Sequence, residues 1–398
     1  METREVKLGN IVKHNKGYAF KSSEYTDEGV MVVRVTDFTL DSISDADAVY
    51  LAPDDRYDKF ILKTNDILIQ TVGSWANNPN SIVGKVVRVP KQCDNAYLNQ
   101  NIVRIIPNND LDNTYLFYAL KANHFSTYCV LRGQGAANQA SITLDTIFRF
   151  KFKAHNFTAQ QRIAGILSAY DNLIENNNKR IHLLEQMAEN LYKEWFVRFR
   201  FPGYEDVDFE NGIPNGWKIE RLSDIADIIM GQSPESENYN TNCEGLPFHQ
   251  GVGSYGEFYL IDDVYSTKGN RIAEANSIIF SVRAPVGRIN ITLNKIILGR
   301  GVAAINSAKG YNAYLLWMLK NQFQQEDIIG NGSIFASVTK KELFGFKILM
   351  PNEDLIQKFD SIASGIEREM RKISLINSNL KKQRDMLLPR LMSGKLEV

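Results

Sequence analysis

The 398-residue chain is written twice, and that repeat limits its fold more than any single motif does. Displaced by 214 residues, Leu8, Ile11, Gly17 and Tyr25 fall on Leu222, Ile225, Gly231 and Tyr239. NDILIQTV at 65–72 resembles NSIIFSV at 276–282, and VGKV at 83–86 resembles VGRI at 286–289. YLFYALK at 115–121 matches YLLWMLK at 314–320, GQG at 133–135 matches GNG at 330–332, and FRFK at 148–151 matches FGFK at 344–347. Insertions shift the offset until it settles at 196. Ordered matches along nearly the whole length set chance aside. The unit is too long for a solenoid repeat and reads as a duplicated globule with a helix attached.

Each half opens with a globular stretch, 1–155 and then 207–351. Short apolar runs such as VMVVRV at 30–35 and IIFSV at 278–282 are punctuated by Gly, Asn, Asp and Pro, the pattern of strands and turns. One helix per globule is expected, near 112–126 and 311–324. The expected class is α+β, two pseudo-symmetric, β-rich mixed domains.

Each half closes on a helical spacer, 156–206 and 352–398. In the first, Ile163, Leu167, Tyr170, Ile174, Asn177, Ile181, Leu184, Ala188, Leu191 and Trp195 alternate steps of four and three, an a/d seam. Adding 196 gives Phe359, Ala363, Ile366, Met370, Ile373, Asn377, Leu380, Arg384, Leu387 and Leu391. Thr158 and Gln161 suggest a capping box at the first start, and FPG at 201–203 a stop. Asn352 suits an N-cap and Gly394 a terminus for the second. Seams this long need partners, and each helix is the simplest partner for the other. Two-fold pseudosymmetry favours an antiparallel coiled coil with a globule at each end. Asn177 and Asn377 are then polar seam positions able to fix register. The competing arrangement packs each helix on its own globule.

Composition narrows the function. Lys+Arg and Asp+Glu both number 46, so binding by bulk positive charge is excluded. Mean hydropathy is -0.27 and no apolar run of membrane-spanning length occurs. The METRE start lacks the plan of a signal peptide. Cys93, Cys129 and Cys243 form no CxxC pair, which agrees with a reducing cytoplasm.

Two similar but unequal heads suit a bipartite target, and duplex DNA offers contact sites at regular spacing. The segments FTAQQRIAGILSAYD at 157–171, LLEQMAENLYKEWF at 183–196, NGIPNGWK at 211–218 and KKQRDMLLPRLMSGK at 381–395 resemble those of type I restriction–modification specificity subunits. The resemblance covers nearly the whole chain. It implies target-recognition domains, conserved spacers that seat two methyltransferase subunits, and restriction motor subunits as further partners. It also implies no catalysis and no cofactor in this chain, with S-adenosylmethionine, ATP and magnesium used through the partners. One departure is Phe157-Thr158, where a proline-led entry to the spacer is common; the second spacer keeps Pro351.

Recognition domains vary too widely for base-reading residues to be carried over, so candidates rest on chemistry. Between Lys268 and Arg300 stand six basic residues, Lys268, Arg271, Arg283, Arg288, Lys295 and Arg300, against Glu274 alone. Such a block suits phosphates and guanine edges. The bland reading is exposed charge guarding strand edges. In the first globule Lys85, Arg88, Lys91 and Arg104 oppose only Asp94. The loops 71–78 and 133–139 add amides, among them Gln134, Asn138 and Gln139, suited to adenine or to plain turns. The loop 330–335 is poorer in such groups, and Trp75 and Phe335 read as packing residues. Around Trp195/Phe196 and Leu387/Met392 the spacers offer partner contacts or a docking of the helix end on its own globule.

Catalytic signatures are missing from the sequence. Gly84-Lys85 is followed by Val86, so no nucleotide-binding P-loop forms. The run NNPN at 77–80 lacks the aromatic of an amino-methyltransferase motif. His14, His124, His155, His182 and His249 are scattered, and no nucleophile elbow is present. Two rivals remain: a self-contained DNA enzyme of unfamiliar type, and a coiled-coil adaptor that binds proteins.

Overall fold

Asn65 and Asn276, paired by the repeat, both take left-handed backbone angles (φ 71° and 67°). Each turns the chain into an apolar strand, Ile67–Gln70 or Ile278–Ser281. Asparagine tolerates that conformation better than most residues. The computed structural model describes residues 3–39, 42–45, 47–75, 81–135, 139–328 and 337–398. They form two units, the first Met1–Glu175 with Asn377–Val398, the second Asn176–Ile376. The units cut across the four sequence segments, because each takes part of both spacers.

The first unit holds a four-stranded antiparallel sheet in the order Val12–Lys16, Ile102–Pro107, Ile67–Gln70, Val86–Arg88. The second repeats that order with Ala226–Met230, Val302–Ser307, Ile278–Ser281 and Ile289–Ile291. Antiparallel pairs, Thr3–Lys7 with Lys151–His155 and Lys218–Arg221 with Lys347–Met350, close each globule's ends together. A second sheet follows in each, three-stranded in the first unit and five-stranded in the second, with one parallel pair: Val30–Val33 beside Tyr97–Leu98, and Leu246–His249 beside Ile296–Leu298.

The central strand is fully buried in both units, and its residues alternate between two cores. Ile67 and Ile69 join a core with Tyr115 and Leu116, whereas Leu68 joins Val33 and Leu98. Ile278 and Phe280 meet Trp317 in the same way, while Ile279 meets Leu298. Period-two geometry with both faces covered accounts for the unbroken apolar run in the sequence. The helix expected near 112–126 is two, Asn113–Lys121 and Asn123–Arg132, because Ala122 is extended (ψ 140°). Its counterpart runs unbroken from Asn312 to Ile328.

The long helices are Phe157–Tyr192 and Glu353–Met392. The first is capped by Asn156, whose Oδ1 accepts from the Ala159 N–H at 3.0 Å. That corrects the Thr158–Gln161 box: the helix begins one residue before Thr158. A wide turn over Lys193–Val197 and a left-handed Phe199 (φ 56°) end it ahead of Pro202. Gly394 (φ 71°) follows the second helix. Inside the first unit, Arg162 reaches the carbonyl of Val398 and Asp171 pairs with Arg384, so the two helices run antiparallel there. Inside the second, Arg180 pairs with Glu369 while Tyr192 meets Phe359, again antiparallel.

The seam positions turn inward. Ile163, Leu167, Phe359, Ala363, Met370 and Leu391 are fully buried, and Ile174, Ile181 and Ile373 nearly so. Tyr170, Leu184, Leu191, Ile366, Leu380 and Leu387 are half-buried. Asn177 and Asn377 are buried too. Trp195 and Phe196, at the end of the first spacer, pack on Phe359 in the core of the second unit, and Leu387 and Met392, at the end of the second spacer, lie against the core of the first, so each helix end docks with the other half's globule and not with its own.

Candidate nucleic-acid interface

Three basic candidates of the first globule turn inward, which corrects the sequence expectation for them. Lys85 is 7% exposed, in a turn where Gly84 packs against Cys129. Arg88 lies over the Phe117 ring, 3.8 Å from Asp171. Arg104 donates to the Ile61 carbonyl at 2.7 Å and to Asp66 at 3.1 Å. These side chains are held by internal partners, and a duplex could reach them only by breaking those contacts. Gln134 and Gln139 are exposed, flanking a bridge in which Gln134 and Ser141 exchange backbone hydrogen bonds of 2.8 and 2.7 Å. Asn77, Asn78, Asn138 and the loop 330–335 lie outside the described residues.

In the second unit Lys268, Arg271, Arg283, Arg288 and Arg300 are all exposed. Lys295 is exposed as well, 2.6 Å from Glu274. Backbone bonds bring several of them to one end of the sheets. Leu298 donates to the Arg271 carbonyl at 2.8 Å, and Val282, beside Arg283, donates to Gly301 at 2.9 Å. Arg300 sits between Gly299 and Gly301, its own N–H on Ser233 Oγ at 3.1 Å. Gln232 and Gln250 are exposed at the same end, tied in by Gln232 N–H to Leu298 O (2.9 Å) and Gly301 N–H to Gln250 O (3.0 Å).

The corresponding end of the first unit carries Tyr18 and Gln100. Tyr18 N–H meets Leu98 O at 3.0 Å, and Gln100 N–H meets Tyr18 O at 2.7 Å. Tyr18 is 42% exposed and leans on Phe20, Tyr57 and Phe60. Thr71 donates to Asn101 and accepts from Ile142, which places the Gln134–Ser141 bridge nearby. Tyr18, Gln100, Gln232 and Gln250 do not stand out in the sequence; matching Leu98 with Leu298 at an offset of 200 sets Gln100 against Arg300 and is the signal that marks it.

A Ser–His–Asp set lies behind Gln250. His249 Nδ1 is 2.8 Å from Ser254 Oγ, and Nε2 is 3.0 Å from Asp262. A hydrolytic triad needs its hydroxyl open to a substrate. Here the imidazole is fully buried and the hydroxyl also reaches the Gly251 carbonyl at 3.2 Å, so the set braces the loop that carries Gln250. Among the described residues no three His, Cys, Asp or Glu side chains gather as metal ligands, and no helix is long and apolar enough to cross a membrane.

The profile of the type I restriction modification DNA specificity domain matches residues 1–186 and 214–383. A Methanocaldococcus jannaschii protein carrying the name of the MjaX type I restriction enzyme specificity subunit is 31% identical, over 85% of this chain and 80% of its own. The HindI specificity subunit of Haemophilus influenzae is 22% identical over 85% of this chain and 88% of its own. The crystal structure of an S subunit from M. genitalium superposes with a TM-score of 0.54 at 15% identity, covering 98% of this chain and 96% of that one. At that identity the superposition speaks for the fold.

Proposed function

Because the chain belongs to the type I restriction–modification DNA specificity family, a non-catalytic, DNA-recognising one, we propose that it reads a bipartite DNA target, one half-site per unit. The observation that carries this reading is the pair of corresponding sheet ends. They share a backbone plan, yet one presents Gln134 and Gln139 and the other Arg271 and Arg283. Amide side chains suit adenine and guanidinium suits guanine, so unequal ends suit unequal half-sites. Lys268 and Arg288 add positive charge for the phosphates of the second half-site.

The domains 1–155 and 207–351 recognise the target, and the spacers 156–206 and 352–398 seat two methyltransferase subunits. Both long helices keep large apolar side chains in solvent, Leu173, Leu183 and Met187 on the first and Ile362, Leu375 and Met386 on the second. Such side chains suit a protein partner. Methyl transfer from S-adenosylmethionine, and ATP- and magnesium-dependent restriction, then belong to partner subunits in the cytoplasm. Salt-titrated binding of the purified chain to duplex DNA tests the reading. Affinity should fall steeply with salt, and the chain alone should transfer no methyl group. A flat salt response favours the protein adaptor, and methylation by the pure chain favours a self-contained enzyme.

A further inference from the structure

Two loop tips, one per unit, have nearly the same hydrogen bonds and different side chains. In the first unit the reversal Leu98–Asn101 is held by Tyr18 N–H on Leu98 O (3.0 Å), Gly17 N–H on Ile102 O (3.0 Å) and Thr71 N–H on Asn101 O (2.8 Å). In the second, Leu298–Gly301 is held by Gln232 N–H on Leu298 O (2.9 Å), Gly231 N–H on Val302 O (3.0 Å) and Val282 N–H on Gly301 O (2.9 Å). Gly17 and Gly231 back the tips so closely that a Cβ would stand 1.8 Å from Asn99 O and 2.1 Å from Gly299 O. Within each tip the residues before the apex are buried, and the apex itself, Gln100 or Arg300, is exposed.

Resting on the DNA-recognition reading above, we infer that Gln100 and Arg300 are equivalent, sequence-independent grips on the duplex backbone. Units that read different half-sites have no reason to keep a base-reading element alike. What they keep in common serves what is common to both half-sites, and phosphates repeat whatever the sequence. Gln and Arg differ in charge and length, yet both present N–H donors that a phosphate oxygen accepts. A tip tied back by these bonds loses little freedom on binding. The diverged surroundings, Arg271 and Arg283 against Gln134 and Gln139, are left to distinguish bases.

The test uses the full chain, a random-sequence duplex, and a panel of duplexes with single base pairs changed. Arg300→Ala should weaken binding about tenfold on every duplex and lower the slope of log K against log salt by about one. Gln100→Ala should weaken binding several-fold with the slope unchanged, because no charge is lost. Arg300→Lys should restore most of the affinity and the salt slope, since a phosphate oxygen accepts from an ammonium as it does from a guanidinium. Melting temperatures should stay at the wild-type value, because both side chains are exposed; if one falls, the Lys variant carries the test. Loss confined to duplexes with one base at a fixed position would overturn the inference by making Arg300 a base reader. Unchanged affinity in both Ala variants would overturn it as well. If the wild-type chain itself shows no salt-dependent binding, the DNA-recognition reading falls instead.

Discussion

The two units share a backbone and place buried charge differently, most clearly at Asp171 and Glu367, which the 196-residue offset makes equivalent. Asp171 accepts from Arg384 at 2.6 Å and from the Tyr118 hydroxyl, with Arg88 at 3.8 Å. Glu367 faces Trp317 and Lys320 of the helix Asn312–Ile328 and Asp360 of its own helix. Arg371, on the same helix, donates instead to the Leu293 carbonyl. Tyr259 and Glu185 complete the charged and titratable groups around this site. The repeat places Ala188 where the first unit has Arg384. Burial, reinforced by Asp360, pushes the Glu367 carboxyl up to about 8, and its Oε1 is buried without a hydrogen-bond partner. The same helix position is thus an ion-paired carboxylate in one unit and a carboxyl biased towards its neutral form in the other. A duplicated fold tolerates either solution, provided the charge has a cation or a proton.

Truncating equivalent seam residues should give the largest effects and test whether the units depend alike on their helices. Phe359→Ala should cost about 4 kcal/mol and Ile163→Ala about 3 kcal/mol, both from fully buried sites, by chemical denaturation of the full chain. Transitions that separate into two steps would show which unit each variant loosens.

Next comes Arg384→Ala, which removes the main cation from Asp171 and should cost about 3 kcal/mol at neutral pH. The pair's side chains are only 11% and 17% exposed, so solvent replaces the arginine poorly. A cost under about 0.5 kcal/mol would place this pair with surface ion pairs and dissolve the contrast.

Glu367→Gln probes the other side of the comparison. The folded protein holds this proton more tightly than the unfolded chain does. The resulting stability is complete below pH 4.5 and is lost as pH rises through about 8. Gln should therefore flatten the pH profile and gain about 1 kcal/mol at pH 8, a figure reduced because Glu367 is only half-buried. Equal wild-type and variant profiles between pH 5 and 9 would remove the proton from the account.

The smallest effect is expected at Lys295, paired with Glu274 at 2.6 Å but 48% exposed. Lys295→Ala should change stability by less than about 0.5 kcal/mol.

The helices are legible in the sequence because seam spacing is local: steps of three and four put Ile163 and Phe359 on apolar faces. The strands were legible for the same reason. The inward arginines were not. Arg88 ends an alternating strand and could face either way until Asp171, 83 positions later in the chain, appears beside it. Arg104 is likewise fixed by Asp66 and a carbonyl from another segment. The tips are hard to see in the sequence because their offset of 200 differs from the 214 that aligns the glycines packed against them. Short loops carry too few residues to show such a slip.

Mapping methylated adenines in DNA from cells that carry the chain with the methyltransferase subunits proposed above is the most direct measurement. The account predicts two different short half-sites, always separated by the same number of unspecified base pairs, with unit-two substitutions at Arg271 and Arg283 altering one half-site only. A single continuous motif, or changes in both half-sites from those substitutions, would contradict it.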